Sequence, residues 1–211
     1  MKTRSKALLL TLCAVVLVIA TVFGTMAYLT STDKVENTFT VGSVAIKLDE
    51  AKANPDGTLV EGADRVKANS YKLLPGHTYN KDPMVTVLNG SEASYIKMTV
   101  TFSKASALDA IFAPTGADLT SIFNGYDSTN WIYKDNTKDA TADTRTYEFW
   151  YKETVGAPTA DVALDALFDS ITVPGSITKE QLATIEGLTI TVNAYAIQAA
   201  GFANAEEAWA A

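Results

Sequence analysis

One histidine and one cysteine in 211 residues set the first limits on chemistry. A zinc-protease helix needs two imidazoles four residues apart, and His77 stands alone. Cys13 alone excludes an intramolecular disulfide and a thiolate zinc site. His77 follows Pro75-Gly76, where an exposed or turn-capping ring is expected rather than a catalytic one. No nucleophile elbow, phosphate-binding glycine loop or dinucleotide fingerprint occurs. Asn54-Pro55-Asp56-Gly57 resembles part of a calcium loop, but Lys52 and Ala63 occupy its leading and closing ligand positions, so a simple turn is expected. Asp49, Glu50, Glu61 and Asp64 form an acidic stretch in which weak calcium binding competes with solvated surface charge, and surface charge is the expectation. Tyr147, Phe149, Trp150 and Tyr151 offer a ligand-facing aromatic strip, but alternating aromatics predict core on one side and a covered outer face on the other. No catalytic residue, metal ligand or cofactor is assigned.

The elements that must position these groups are mostly strands. Ile96, Met98, Val100 and Phe102 alternate with Lys97, Thr99, Thr101 and Ser103, the pattern of a half-buried antiparallel strand. Leu188, Ile190, Val192, Ala194 and Ala196 repeat it opposite Thr189, Thr191 and Asn193. Phe39 and Val41 share one phase and Val44, Ile46 and Leu48 the other, so a bulge or break is expected at Gly42-Ser43. Val85 and Val87, the aromatics from Tyr147 to Tyr151, and Ile171 with Val173 supply further short strands. Turns are expected at Asn54–Gly57, Pro75-Gly76, Asn89-Gly90, Asp135-Asn136 and Pro174-Gly175, and Asp135–Thr144 reads as a polar loop. Short helices are expected at Ala105–Phe112 and Asp118–Phe123. Asn204 is placed to cap a helix at Ala205–Ala210, with Glu207 completing a capping-box-like pair. This predicts a mostly β chain: an antiparallel β-sandwich, jelly-roll-like, with a few short helices in connections and near the C-terminus.

Composition agrees with a packed domain. Hydrophobic residues make up 47% of the chain, enough for a core. Seventeen basic against 24 acidic residues give a net charge of -7, which argues against nucleic acid as a partner. Lys2, Arg4 and Lys6 precede an uncharged, largely apolar run from Ala7 to Phe23, and Thr25 and Ala27 are small. That layout predicts a signal peptide over residues 1–27, cut between Ala27 and Tyr28, with a retained N-terminal anchor as the alternative. Cys13 then reads as a small apolar residue of the leader, because bulky Leu12 precedes it where a lipidated cysteine needs a small one. Residues 28–211 would form a single β-sandwich domain carrying a charge of -10 and no cysteine.

Several blocks together resemble the TasA/camelysin family of exported Gram-positive surface and biofilm-matrix proteins, whose leader is cut by a dedicated signal peptidase of the SipW type. They are Gly24-Thr25-Met26-Ala27-Tyr28-Leu29-Thr30, Asn37-Thr38-Phe39-Thr40-Val41-Gly42 and Leu74-Pro75-Gly76. Lys81-Asp82-Pro83, Val85-Thr86-Val87 and Ser91-Glu92-Ala93-Ser94-Tyr95 follow, then Leu167 through Pro174. Ala194-Tyr195-Ala196-Ile197-Gln198, Gly201-Phe202 and Ala205-Glu206-Glu207-Ala208-Trp209 complete the series. The resemblance implies a jelly-roll-like sandwich and, for one branch, a subunit of extracellular fibres. In those fibres the freed N-terminal segment of one subunit completes the sheet of its neighbour. By position the donor would be residues 28–41, with Tyr28, Leu29, Val35, Phe39 and Val41 as its apolar residues; an arm joining its own sheet is the other expectation. The camelysin branch also implies metal-dependent endopeptidase activity, for which no spacing here selects residues.

The expected function is therefore a secreted, non-enzymatic structural protein of the cell surface or extracellular matrix. Its expected partners are copies of itself in homo-oligomers or fibres, the dedicated signal peptidase and other matrix proteins. The alternatives are a secreted metal-dependent endopeptidase and a membrane-anchored surface binding module.

Overall fold

A computed structural model describes Lys6 and residues 11–17, 42–112 and 121–211. The cleavage position Ala27/Tyr28, the donor segment with Leu29, Val35, Phe39 and Val41, and the start of the helix expected at Asp118–Phe123 lie outside the described residues. Residues 11–17 are helical and Cys13 is exposed on them. Among the described residues no helix is long and apolar enough to cross a membrane.

The remaining elements form an antiparallel β-sandwich with short helices. In chain order they are β1 (Ile46–Asp49), β2 (Thr78–Asn80), β3 (Met84–Val87), β4 (Ser94–Ser103), α1 (Ala105–Phe112), β5 (Trp131–Asp139) and β6 (Thr144–Tyr151). Then come β7 (Val162–Ala163), β8 (Ser170–Thr172), α2 (Lys179–Thr184), β9 (Ile190–Gln198) and α3 (Ala205–Ala210). One sheet has the order β5-β6-β4-β9, a second β1-β3-β7, and β2 pairs with β8. Every pairing is antiparallel. These strand orders do not by themselves confirm the jelly-roll part of the expectation.

The period of two in β4 does what its residue types dictate. Ile96, Met98, Val100 and Phe102 are fully buried or nearly so, while Lys97, Thr99, Thr101 and Ser103 are only partly covered. Tyr147 and Phe149 of β6 stand beside them in the same sheet, and Val85 and Val87 of β3, in the other sheet, join the same core cluster. Phe123 stands at the centre of the aromatic packing, with ring centres of Phe102, Tyr147, Phe149 and Phe168 between 4.6 and 5.8 Å away. A smaller cluster of Tyr79, Val173, Ile177 and Ile185 packs beside the β2–β8 pair.

Local reading and structure differ in four places. Asp135–Thr144 is not a loop: residues 135–139 belong to β5 and pair with β6 in a hairpin whose turn is only residues 140–143. Its polar side chains face water from an edge strand, so composition hides a ladder held by backbone bonds. Asp135-Asn136 is accordingly no turn but sits at a register shift next to Tyr133. The helix α2 was not foreseen, although Thr178 and Gln181 form a capping box in which each side chain bonds the other's backbone. At α3 Asn204 accepts from Glu207 N at 2.9 Å as expected, but the Glu207 carboxylate bonds Ala203 N, one residue earlier than a standard box.

The other punctuation follows the reading. Residues 42–45 carry no regular structure and β1 begins at Ile46, while Phe39 and Val41, the other side of the expected bulge or break, lie outside the described residues. Asn54–Gly57 is a turn closed by Gly57 N on Asn54 O at 2.9 Å. Gly57 has φ +89°, and a Cβ there would meet the Thr78 carbonyl oxygen at 2.6 Å, so the position requires glycine.

Candidate assembly edge and the charged strap beside it

The four-stranded sheet has two edges of opposite character. The edge strand β5 carries Lys134, Asp135, Lys138 and Asp139 and a register shift after Tyr133, devices that blunt an edge against foreign strands. At the other edge, β9 reads Ile-Thr-Val-Asn-Ala-Tyr-Ala-Ile-Gln, nine residues without charge, proline or glycine. Ser103 N donates to Thr189 O at 3.0 Å and Ala199 N to Ala93 O at 2.7 Å. Antiparallel ladders alternate, so the odd residues of β9 bond to β4 while the N–H and C=O groups of Ile190, Val192, Ala194 and Ala196 point outward. Among the described residues no hydrogen bond reaches those outward groups. The same four residues turn their side chains toward the core, whereas Thr191, Asn193 and Tyr195 face water.

The outer face of this sheet is ordered in rows. Thr137, Thr146, Thr101 and Thr191 stand in one cross-strand row, with Thr101 Oγ1 and Thr146 Oγ1 2.8 Å apart. Ile132, Trp150, Lys97 and Tyr195 form another. The helix α3 covers part of that second row: Lys97 Nζ lies 4.5 Å from the Trp209 ring centre and 5.5 Å from Tyr195. Lys134 Nζ sits 4.0 Å over Trp150 and pairs with Glu206 at 3.1 Å. The expected aromatic strip thus divides, Tyr147 and Phe149 in the core and Trp150 under the C-terminal helix.

Beside β9 lies β1, and a groove of about 380 Å³ opens between them, lined by Leu48, Lys67, Pro83, Ile190 and Val192 among others. The chain from Glu50 to Leu74 straps over this side of the sandwich. Backbone bonds between Glu50 and Val66, at 2.9 and 2.7 Å, hold it to the end of β1. Charges hold it more firmly. Arg65 donates through Nε to Asp49 Oδ1 at 2.5 Å, through Nη1 to Asp82 Oδ2 at 2.8 Å and through Nη2 to Asp82 O at 2.8 Å. Lys47 approaches Asp49 Oδ2 at 2.6 Å. Burial pushes the Asp49 carboxyl upward, but the bonds and charges of Lys47 and Arg65 outweigh it and hold the group below its ordinary value. One step further, Lys81 Nζ donates to Glu50 Oε2 at 2.5 Å and Asn69 Nδ2 to Glu50 Oε1 at 3.0 Å.

The acidic stretch therefore splits in a way its sequence did not indicate. Asp49 and Glu50 are 4% and 5% exposed, not solvated surface charge, because Arg65 and Lys81 neutralise them from 16 and 31 residues away. Glu61 and Asp64 are exposed, as expected. His77 is exposed in its turn, with Nδ1 3.3 Å from Pro75 O. Among the described residues no group of three His, Cys, Asp or Glu side chains is placed to hold a metal ion. Lys81, Arg65 and Asn69 escaped sequence reading, because Arg65 and Lys81 stand 16 and 31 residues from the carboxylates they pair with and their neighbours Asp64, Asn80 and Asp82 are polar. No known protein family, curated protein or solved structure matches the chain.

Proposed function

We propose that this chain is a secreted, non-enzymatic structural protein of a cell surface or biofilm matrix, whose copies join by strand addition into fibres. The observation that supports it is the edge of β9, nine uncharged residues whose outward backbone groups have no partner among the described residues. The donor in this reading is residues 28–41. Thr38-Phe39-Thr40-Val41 repeats the alternation of Thr189-Ile190-Thr191-Val192 and Thr99-Val100-Thr101-Phe102. Laid against β9, it would extend the threonine face with Thr38 and Thr40 and the apolar face with Phe39 and Val41. A jelly-roll connection of the sheets, cleavage before Tyr28 and partnership with a dedicated signal peptidase belong to the same proposal. The endopeptidase alternative gains no residue set, since His77 lies exposed in a turn.

Purified residues 28–211 should associate in a concentration-dependent way, and deletion of Tyr28–Thr38 should abolish association. A 28–211 protein that stays monomeric across concentration, pH and salt overturns the proposal. The first residue of the exported protein separates it from the anchored alternative, Tyr28 meaning cleavage and Met1 an anchor.

A further inference from the structure

The Glu50 carboxylate stands between an amine and an amide. Its Oε2 accepts from Lys81 Nζ at 2.5 Å and its Oε1 from Asn69 Nδ2 at 3.0 Å. The side chains of Lys81 and Glu50 are only 9% and 7% exposed. Asn69 is fixed as well: Nδ2 also donates to Ala51 O at 2.8 Å, and Oδ1 accepts from Ala53 N at 2.8 Å. A nucleophile, an acyl carbon, a proton carrier and a backbone N–H on the acyl oxygen are thus gathered in the wall of the groove beside β1. A lysine held this deeply with a carboxylate and a carboxamide exceeds what a surface ion pair requires.

We infer that Lys81 and Asn69 become joined by an intramolecular isopeptide bond, with Glu50 as the catalytic residue. Lys81 passes one proton from Nζ to Glu50, and the free amine attacks Asn69 Cγ. The oxygen of the tetrahedral adduct stays on the Ala53 N–H, which donates to Oδ1 and stabilises its developing charge. Glu50 returns its proton to Nδ2, the Cγ–Nδ2 bond breaks, and ammonia leaves. The second proton of the attacking nitrogen passes to Glu50 and on to solvent. One C–N bond forms and one breaks, with no change of oxidation state and no outside reactant. The side chains described above are the unreacted set. The bond would tie the strap, through Asn69, to the chain entering β3, through Lys81. It would supply a covalent clasp to a stretch of 184 residues, 28–211, that contains no cysteine.

The test is the intact mass of the full chain as purified, measured under denaturing conditions against the mass fixed by its N-terminal sequence. The bond predicts a deficit of about 17 Da, the mass of ammonia. Fragmentation should place it on a branched peptide joining Lys81 to Asn69. Lys81→Arg and Asn69→Ala should restore the full mass, and Glu50→Gln should leave most of the chain unreacted. If Glu50→Gln does not fold, the wild-type mass still decides. A folded wild-type chain of full mass overturns the inference and leaves a buried ion pair. A deficit that maps elsewhere, or persists in Lys81→Arg, overturns it equally.

Discussion

Arg65 Nε donates to Asp49 Oδ1 at 2.5 Å, and this bond fastens the strap to the last residue of β1. The Asp49 side chain is 2% exposed while that of Arg65 is 27% exposed, so removing the arginine leaves the more deeply buried charge with only Lys47. Arg65→Ala should cost about 3 kcal/mol, read as a shift in the urea midpoint at neutral pH. A loss below about 0.5 kcal/mol would mean the pair adds nothing beyond surface charge.

The same carboxyl sets an acid limit. Asp49 titrates below its ordinary value when folded, and so does Asp109, where burial pushes upward but Arg145 and Lys138 prevail. A lowered folded value means that their stabilisation is complete above the unfolded carboxylate range and is lost as pH falls through the folded values. Thermal midpoints should hold steady down to about pH 5 and drop steeply below about pH 4. In Asp49→Asn the midpoint at neutral pH should be lower and the acid drop shallower.

The edge of β9 that has no partner among the described residues can be closed without touching its ladder. The Ala194 N–H points away from β4, so Ala194→Pro removes one outward donor and keeps the β4 bonds. Association of residues 28–211, followed by light scattering, should fall at least tenfold while the circular dichroism spectrum is unchanged. Unaltered association would place the contact elsewhere on the molecule.

Phe123 is 1% exposed and touches four other rings. Phe123→Ala should destabilise the domain by about 4 kcal/mol in denaturant unfolding, combining lost transfer energy with a cavity. Phe123→Leu, which refills most of that space, should recover roughly half.

Trp209 holds α3 to the outer face through Lys97 at 4.5 Å and Trp150 at 6.4 Å. Trp209→Ala should free α3, cost about 1–2 kcal/mol and raise protease sensitivity at the last ten residues. No change in proteolysis would show that Lys134–Glu206 alone keeps the helix docked.

The sequence was most legible where a strand is covered on one face. In β4 the alternation from Ile96 to Phe102 named four core residues, because the pleat converts side-chain polarity directly into inside and outside. β9 was legible for the same reason. Reading failed where burial depends on a distant partner. Asp49 and Glu50 look like surface residues until Arg65 and Lys81 are brought beside them by the strap, and no local window contains that information. It failed again at β5, where residues 135–139 are stabilised by backbone pairing to β6 rather than by any apolar face. That β9 is an edge strand of its sheet was the least legible feature, since the character of an edge depends on which strand lies at the end of the sheet order.

That order carries a kinetic consequence. The central strand β4 spans residues 94–103, and its second partner, β9, begins only at residue 190. A chain made N-terminus first must emerge past residue 190 before the four-stranded sheet can close. Pairing at so wide a separation is slow in itself. The four-stranded sheet therefore stays open until β9 arrives, and the strand that completes it lies at its edge.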